Sequence, residues 1–167
     1  MSRLGPARLA VRIALPGIIV LLASVASAGA QDTVLISVPM AVTFTVSNVS
    51  GSTPGAPSPT TVSFLNAILT PGKAIRVSVQ SDAAAFTAPS GASISASNVS
   101  WNNLGTAGGI GSNGTLSSSS YALVFQGDPA RISGRVDLGW TLAAPGSGIR
   151  AGVHQLTIRW KIESITP

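Results

Sequence analysis

VDLGWTLAAPGSGIRAGVHQLTIRWKI, residues 136–162, contains two runs in which every second residue is apolar, separated by a hinge rich in proline and glycine. In the first run Val136, Leu138, Trp140 and Leu142 share one parity, and Asp137, Gly139 and Thr141 take the other. In the second, Leu156, Ile158, Trp160 and Ile162 alternate with Thr157, Arg159 and Lys161. Successive side chains of a strand point to opposite faces, so a period of two predicts half-buried strands and argues against helices. Both indoles then face a core, where each hides roughly 200 Å² of surface. The hinge at 144–148 lets the two strands lie side by side with both indoles in one layer. His154, just ahead of the second run, is expected to start that strand with its ring in solvent.

The same period extends outward through 42–46, 75–80 and 121–126, with shorter candidates at 34–38, 62–65 and 94–99, about eight strands in all. Turn-forming residues separate them at 51–59, 71–72, 89–91, 105–114, 127–129 and 145–148. The segment 51–59 reads as a long exposed loop, and 105–114 as a flexible one. Helical spacing is nearly absent, and many short strands without helical crossovers predict an all-β fold. We expect an antiparallel β-sandwich, Ig-like or pilin-like, whose inner faces meet about 10 Å apart. If its final strand, 156–165, or the stretch 34–46 is an unprotected edge, addition of a partner strand there is the expected mode of assembly.

The first thirty residues have a different character. Arg3, Arg8 and Arg12 precede an apolar stretch, 13–25, which ends in Ala26-Ser-Ala-Gly-Ala30. A basic start, an apolar middle and an Ala-x-Ala close predict a cleaved secretory signal over 1–30, with Gln31 first in a single mature domain, 31–167. A membrane anchor is disfavoured, since Pro16-Gly17 interrupts a run already shorter than the roughly 20 residues a spanning helix needs. The signal contains three of the ten basic residues and none of the five acids, so the domain keeps seven against five. Those seven are scattered along the chain, which argues against a nucleic-acid partner. With no cysteine, the chain has no disulfide framework, thiol nucleophile or zinc–thiolate site.

Gly109-Ile-Gly-Ser-Asn-Gly114 spells the dinucleotide fingerprint, but no amphipathic helix follows it to hold a pyrophosphate. His154 and the acids Asp32, Asp82, Asp128, Asp137 and Glu163 sit at no recognised catalytic or metal-ligand spacing. Asp128 and Asp137, which could be proposed as a glycosidase pair, read instead as a turn former and a solvated strand residue. No catalytic residue, metal or cofactor is therefore expected. Asn48, Asn98 and Asn113 stand in Asn-x-Ser/Thr acceptors, taken as incidental in a chain whose short signal and lack of cysteine look bacterial.

One stretch suggests a ligand surface. Trp101 with Asn102 and Asn103 leads into the glycine-rich segment, and with Tyr121 these residues could stack on a sugar ring and bond its hydroxyls. In addition, Trp140-Thr-Leu142 and Trp160-Lys-Ile162 resemble the paired Trp-x-Leu motifs of WxL-type bacterial surface proteins, with isoleucine for leucine in the second copy. That resemblance implies a β-rich exported domain held non-covalently on the cell wall. The chain is also similar in general pattern to pilin-like or coat-like secreted β-sandwiches, although the cysteine pair common in fimbrial subunits is missing. The expected function is that of a non-enzymatic, secreted or cell-surface protein, periplasmic or extracellular, acting in adhesion or assembly. Its partners would be itself or other surface subunits through edge strands, with no membrane contact after cleavage. The alternative is a carbohydrate- or peptidoglycan-binding module that contacts cell-wall glycan.

Overall fold

The computed structural model describes residues 19–25, 32–39, 41–86, 92–146 and 148–167, the first of these as backbone course alone. The signal's basic start and small-residue end, and the turn at 89–91, lie outside the described residues. The described chain is all-β. Its strands are β1 (Ile19–Val25), β2 (Asp32–Val38), β3 (Ala41–Val46), β4 (Thr53–Ala56), β5 (Thr60–Ile68) and β6 (Ala74–Ser81). These are followed by β7 (Val99–Ala107), β8 (Gly109–Gly111), β9 (Gly114–Thr115), β10 (Ala122–Gly127), β11 (Gly134–Leu142) and β12 (Gly152–Ile165). All pairings are antiparallel, in the open order β1-β2-β5-β11-β4-β3-β12-β6-β10-β8, with β7 also on β11 and β9 on β7.

The period of two held where it was strongest. Val136, Leu138, Trp140 and Leu142 of β11 are all buried, as are Val42, Phe44 and Val46 of β3. Side chains from distant parts of the order meet in one core. Phe64 of β5 packs on Phe125 of β10 with ring centres 5.8 Å apart, and Phe44 of β3 meets Phe86 edge-on at 5.8 Å. Trp140 and its cross-strand partner Trp101 on β7 bring their rings to 5.4 Å. Aromatic pairs at this spacing add about 1 kcal/mol each beyond the area they bury.

Several expectations need correction. The stretch 94–99 is not a strand: Ser95 accepts from the Ser97 amide at 3.3 Å and starts a 3₁₀ turn, Ala96–Asn98, so that the strand begins only at Val99. Segment 51–59 is not merely a loop, because β4 lies within it and joins β11 to β3. A Cβ on Gly55 would come within 3.0 Å of Val42, Trp140 and Phe44, so only a glycine lets β4 fit between those side chains. The segment 105–114 likewise holds β8 and most of the approach to β9. The hinge does not make its flanking strands neighbours, since β4 and β3 lie between β11 and β12. The final strand changes partner midway: residues 152–157 pair with β3 and 158–165 with β6, so each half is covered along one side. Trp160 lies near this change of partner and stays half-buried, its Nε1 donating to the Pro39 carbonyl at 2.9 Å.

Bulges place two outward features. On β5 the register slips between Thr33 and Leu35 of β2, and Asn66 takes the left-handed region at φ 52°, as a bulge requires. On β7 the slip between Asp137 and Leu138 of β11 leaves Leu104 over, exposed and lying across Gly139.

Candidate functional site

The chemistry-bearing side chains are tied into the fold. Each of the five acids has a basic partner: Asp32 with Lys73 at 3.0 Å, Asp128 with Arg131 at 3.7 Å, Asp137 with Arg135 at 3.2 Å, Glu163 with Lys161 at 2.7 Å, and Asp82 with Arg159. Four of these pairs include a mostly exposed Arg or Lys, where a surface ion pair contributes under about 1 kcal/mol.

Asp32 differs from the rest. It is buried at the start of β2, and its Oδ1 accepts from the Thr70 amide at 2.6 Å and the Thr70 hydroxyl at 2.9 Å. Its Oδ2 takes the Ser164 hydroxyl at 2.7 Å and the Lys73 ammonium at 3.0 Å. The Ser164 and Thr70 bonds hold its carboxyl well below the usual carboxylate range. They outweigh burial, which pushes the other way, and Lys73 adds to the depression. One carboxylate thus ties the head of β2 to the β5–β6 turn and to the tail of β12. Sequence reading treated Asp32 only as one of a sparse set of acids.

His154 is buried, contrary to the solvent position expected for it. It shares the inward phase of Leu156 and Ile158, so the period of two already contained that signal. Its ring stands edge-on to Phe86 at 6.4 Å, and Nε2 lies 3.2 Å from the Arg150 carbonyl.

Trp101, the centre of the expected sugar contact, is 1% exposed. Its Nε1 donates to the Ser112 carbonyl at 2.8 Å, one side of the ring meets Trp140, and a Cβ on Gly114 would come within 2.3 Å of the ring. With no open ring face, Trp101 cannot serve as the stacking platform. Its residue phase with buried Val99 is the clue that sequence reading passed over. Asn103 is structural as well: its Oδ1 accepts from Gly105 N at 3.1 Å and Thr106 Oγ1 at 2.9 Å, fastening the β7 bulge. Asn113 accepts from Asn103 N at 2.8 Å. Asn102 is exposed on β7, whereas Tyr121 is exposed beside β10 with Lys161 Nζ 5.8 Å from its ring centre. The four residues therefore do not form one surface.

The Gly109–Gly114 fingerprint also has a packing explanation. A side chain at Gly111 would meet Asn103 and Thr106 within 2.7 Å, and one at Gly109 would meet the Gln126 carbonyl at 2.3 Å. These glycines allow close approach of backbone to side chain and carbonyl, and no helix follows them. An open groove beside β3 and β4 is lined by Thr43, Thr45, Ser47, Asn48 and Ser52 among others, hydroxyl and amide groups suited to water. Among the described residues no group of three or more His, Asp or Glu could hold a metal, and no helix is long and apolar enough to cross a membrane. Comparison with protein-family models, with curated proteins and with solved structures finds no match.

Proposed function

We propose that this chain is exported and that its domain from residue 31 onward is a non-enzymatic β-sandwich, a surface component acting in assembly or adhesion. The observation that carries this reading is the contrast at the proposed cleavage point. Upstream, residues 19–25 add only an outermost strand, which can leave without uncovering any other pairing than that of β2. Immediately downstream, Asp32 is locked by four hydrogen bonds to the body of the domain. A segment that peels from an edge and a clamp that begins just after it suit removal of the first thirty residues.

The sandwich arrangement is supported by contacts between β5 and β10, and between Gly55 of β4 and the side chains of both β3 and β11. The structural role is supported by the engagement of every acid in an ion pair and by outward faces rich in Ser, Thr and Asn. The resemblance to WxL-type surface proteins now rests on Trp140-Thr-Leu142, whose Trp and Leu are core residues.

The test is expression with the native N-terminus in a bacterial host, followed by fractionation and N-terminal sequencing. We expect a product that begins at Gln31 in the exported fraction. A full-length chain kept in the cytoplasm would refute the reading.

A further inference from the structure

We propose that loss of residues 1–30 turns the outer edge of β2 into a self-recognition site, on which β2 of a second copy pairs in two-fold symmetric register. This inference rests on the export reading above and specifies its partner.

In the full chain that edge is occupied by β1. β1 runs antiparallel along the whole of β2, from Ile19 opposite Val38, through Leu22 opposite Leu35, to Val25 opposite Asp32. The edge therefore accepts a seven-residue strand over its full length. Removing β1 would leave the outward amides and carbonyls of β2 unpaired, and such an edge is a template for another strand.

The sequence of β1 identifies a suitable replacement. IVLLASV of β1 and DTVLISV of β2 are identical at three of seven positions: Leu22 matches Leu35, Ser24 matches Ser37 and Val25 matches Val38. Val20 against Thr33 is a match in shape, and Leu21 against Val34 and Ala23 against Ile36 keep apolar character. β1 is thus an approximate copy of β2 laid against β2. If the second copy's β2 takes each matching place, the observed register puts its Leu35 opposite Leu35, its Thr33 opposite Ser37 and its Val34 opposite Ile36. That pattern is unchanged when the two copies are exchanged, which is the condition for an isologous, closed dimer.

The faces agree too. Val34 and Ile36 are buried on the core side of β2, so the symmetric register sets apolar opposite apolar there. Thr33 and Ser37 meet on the other side, around the Leu35 pair. Asp32 does not disturb the join, because its carboxylate is already held within its own copy. Exposed Leu65, which pairs with Leu35 from β5, extends the apolar patch beside the axis. The opposite end of the sheet is a poorer template, since β8 spans only three residues.

The test uses the exported, processed product, with its mass measured on the same sample. The chain has no cysteine, so single cysteines report cleanly. We expect a dimer by sedimentation, and we expect Leu35→Cys to be cross-linked between copies by oxidation or a short bismaleimide. Cross-strand neighbours lie about 5 Å apart. Val153→Cys, exposed on β12, should not be cross-linked. Leu35→Lys sets like charges opposite one another and should weaken the dimer on the order of tenfold. The unprocessed chain, with 19–25 on the edge, should stay monomeric. A processed product that is monomeric at high concentration, or a dimer indifferent to Leu35→Lys, overturns the proposal while leaving the export reading intact. A mass that retains residues 19–25 in the exported product refutes cleavage before Gln31, the part of the export reading on which a bare β2 edge depends.

Discussion

Replacing Trp101 with alanine is expected to destabilise the fold by about 4 kcal/mol, the range found when a large buried aromatic is truncated. The ring is fully enclosed and forms half of the Trp101–Trp140 pair. Its Nε1 bond to Ser112 holds the segment between β8 and β9, so the loss spreads beyond the cavity. Trp101→Phe keeps most of the apolar volume and should lose only about 1–2 kcal/mol, part of it from leaving the Ser112 carbonyl unpaired. Urea unfolding of the wild type and both variants measures this directly. The result also separates two roles for Trp101, because a surface indole used only to stack on a glycan could be removed within about 0.5 kcal/mol.

Asp32→Asn is expected to cost about 3 kcal/mol at neutral pH, since it removes the charge that Ser164, Thr70 and Lys73 are arranged to bind. The pH dependence follows from the direction of its shift. The folded carboxyl is held far below its ordinary value, so its stabilisation is fully present above the unfolded pKa, about 4. It declines as pH falls from there toward the folded value, because protons then bind the unfolded chain first. Stability curves at pH 7 and pH 3 should therefore converge for wild type and variant as the solution is acidified. A difference that stays constant over that interval would mean that Asp32 acts through packing and not through its charge.

How far the sequence revealed this molecule depended on whether the structural cause was local. Alternation in β3 and β11 comes from the pleat itself, and reading every second residue found those strands. It found β6 and β10 too, although a bulge between Leu123 and Phe125 buries Val124 and Phe125 together and leaves Leu123 exposed. β4 escaped because Thr53-Pro-Gly-Ala56 has the composition of a turn, while its pairing requires a glycine to pass between Val42, Phe44 and Trp140. The same confusion hid β8 and β9, whose glycines allow close packing on Asn103, Phe125 and Trp101.

The errors at the proposed site arose differently. Trp101 and His154 each shared the phase of a buried neighbour, Val99 and Leu156, but proximity to a glycine-rich segment or a polar side chain outweighed that phase in the reading. The two partners of β12 had no local signal, since strand order is set by pairings between distant segments such as 152–157 with 41–46. Asp32 could not be singled out for the same reason: its partners lie 38, 41 and 132 residues away.

An antiparallel core encloses Trp101 and Trp140 and leaves Trp160 at its margin. Acrylamide and iodide quenching of the protein carrying Trp160→Phe tests this directly. The two remaining indoles should emit at short wavelength and resist both quenchers, at a small fraction of the rate for free indole. Quenching as efficient as that of a free indole, with emission at the wavelength of water-exposed tryptophan, would contradict the core described here.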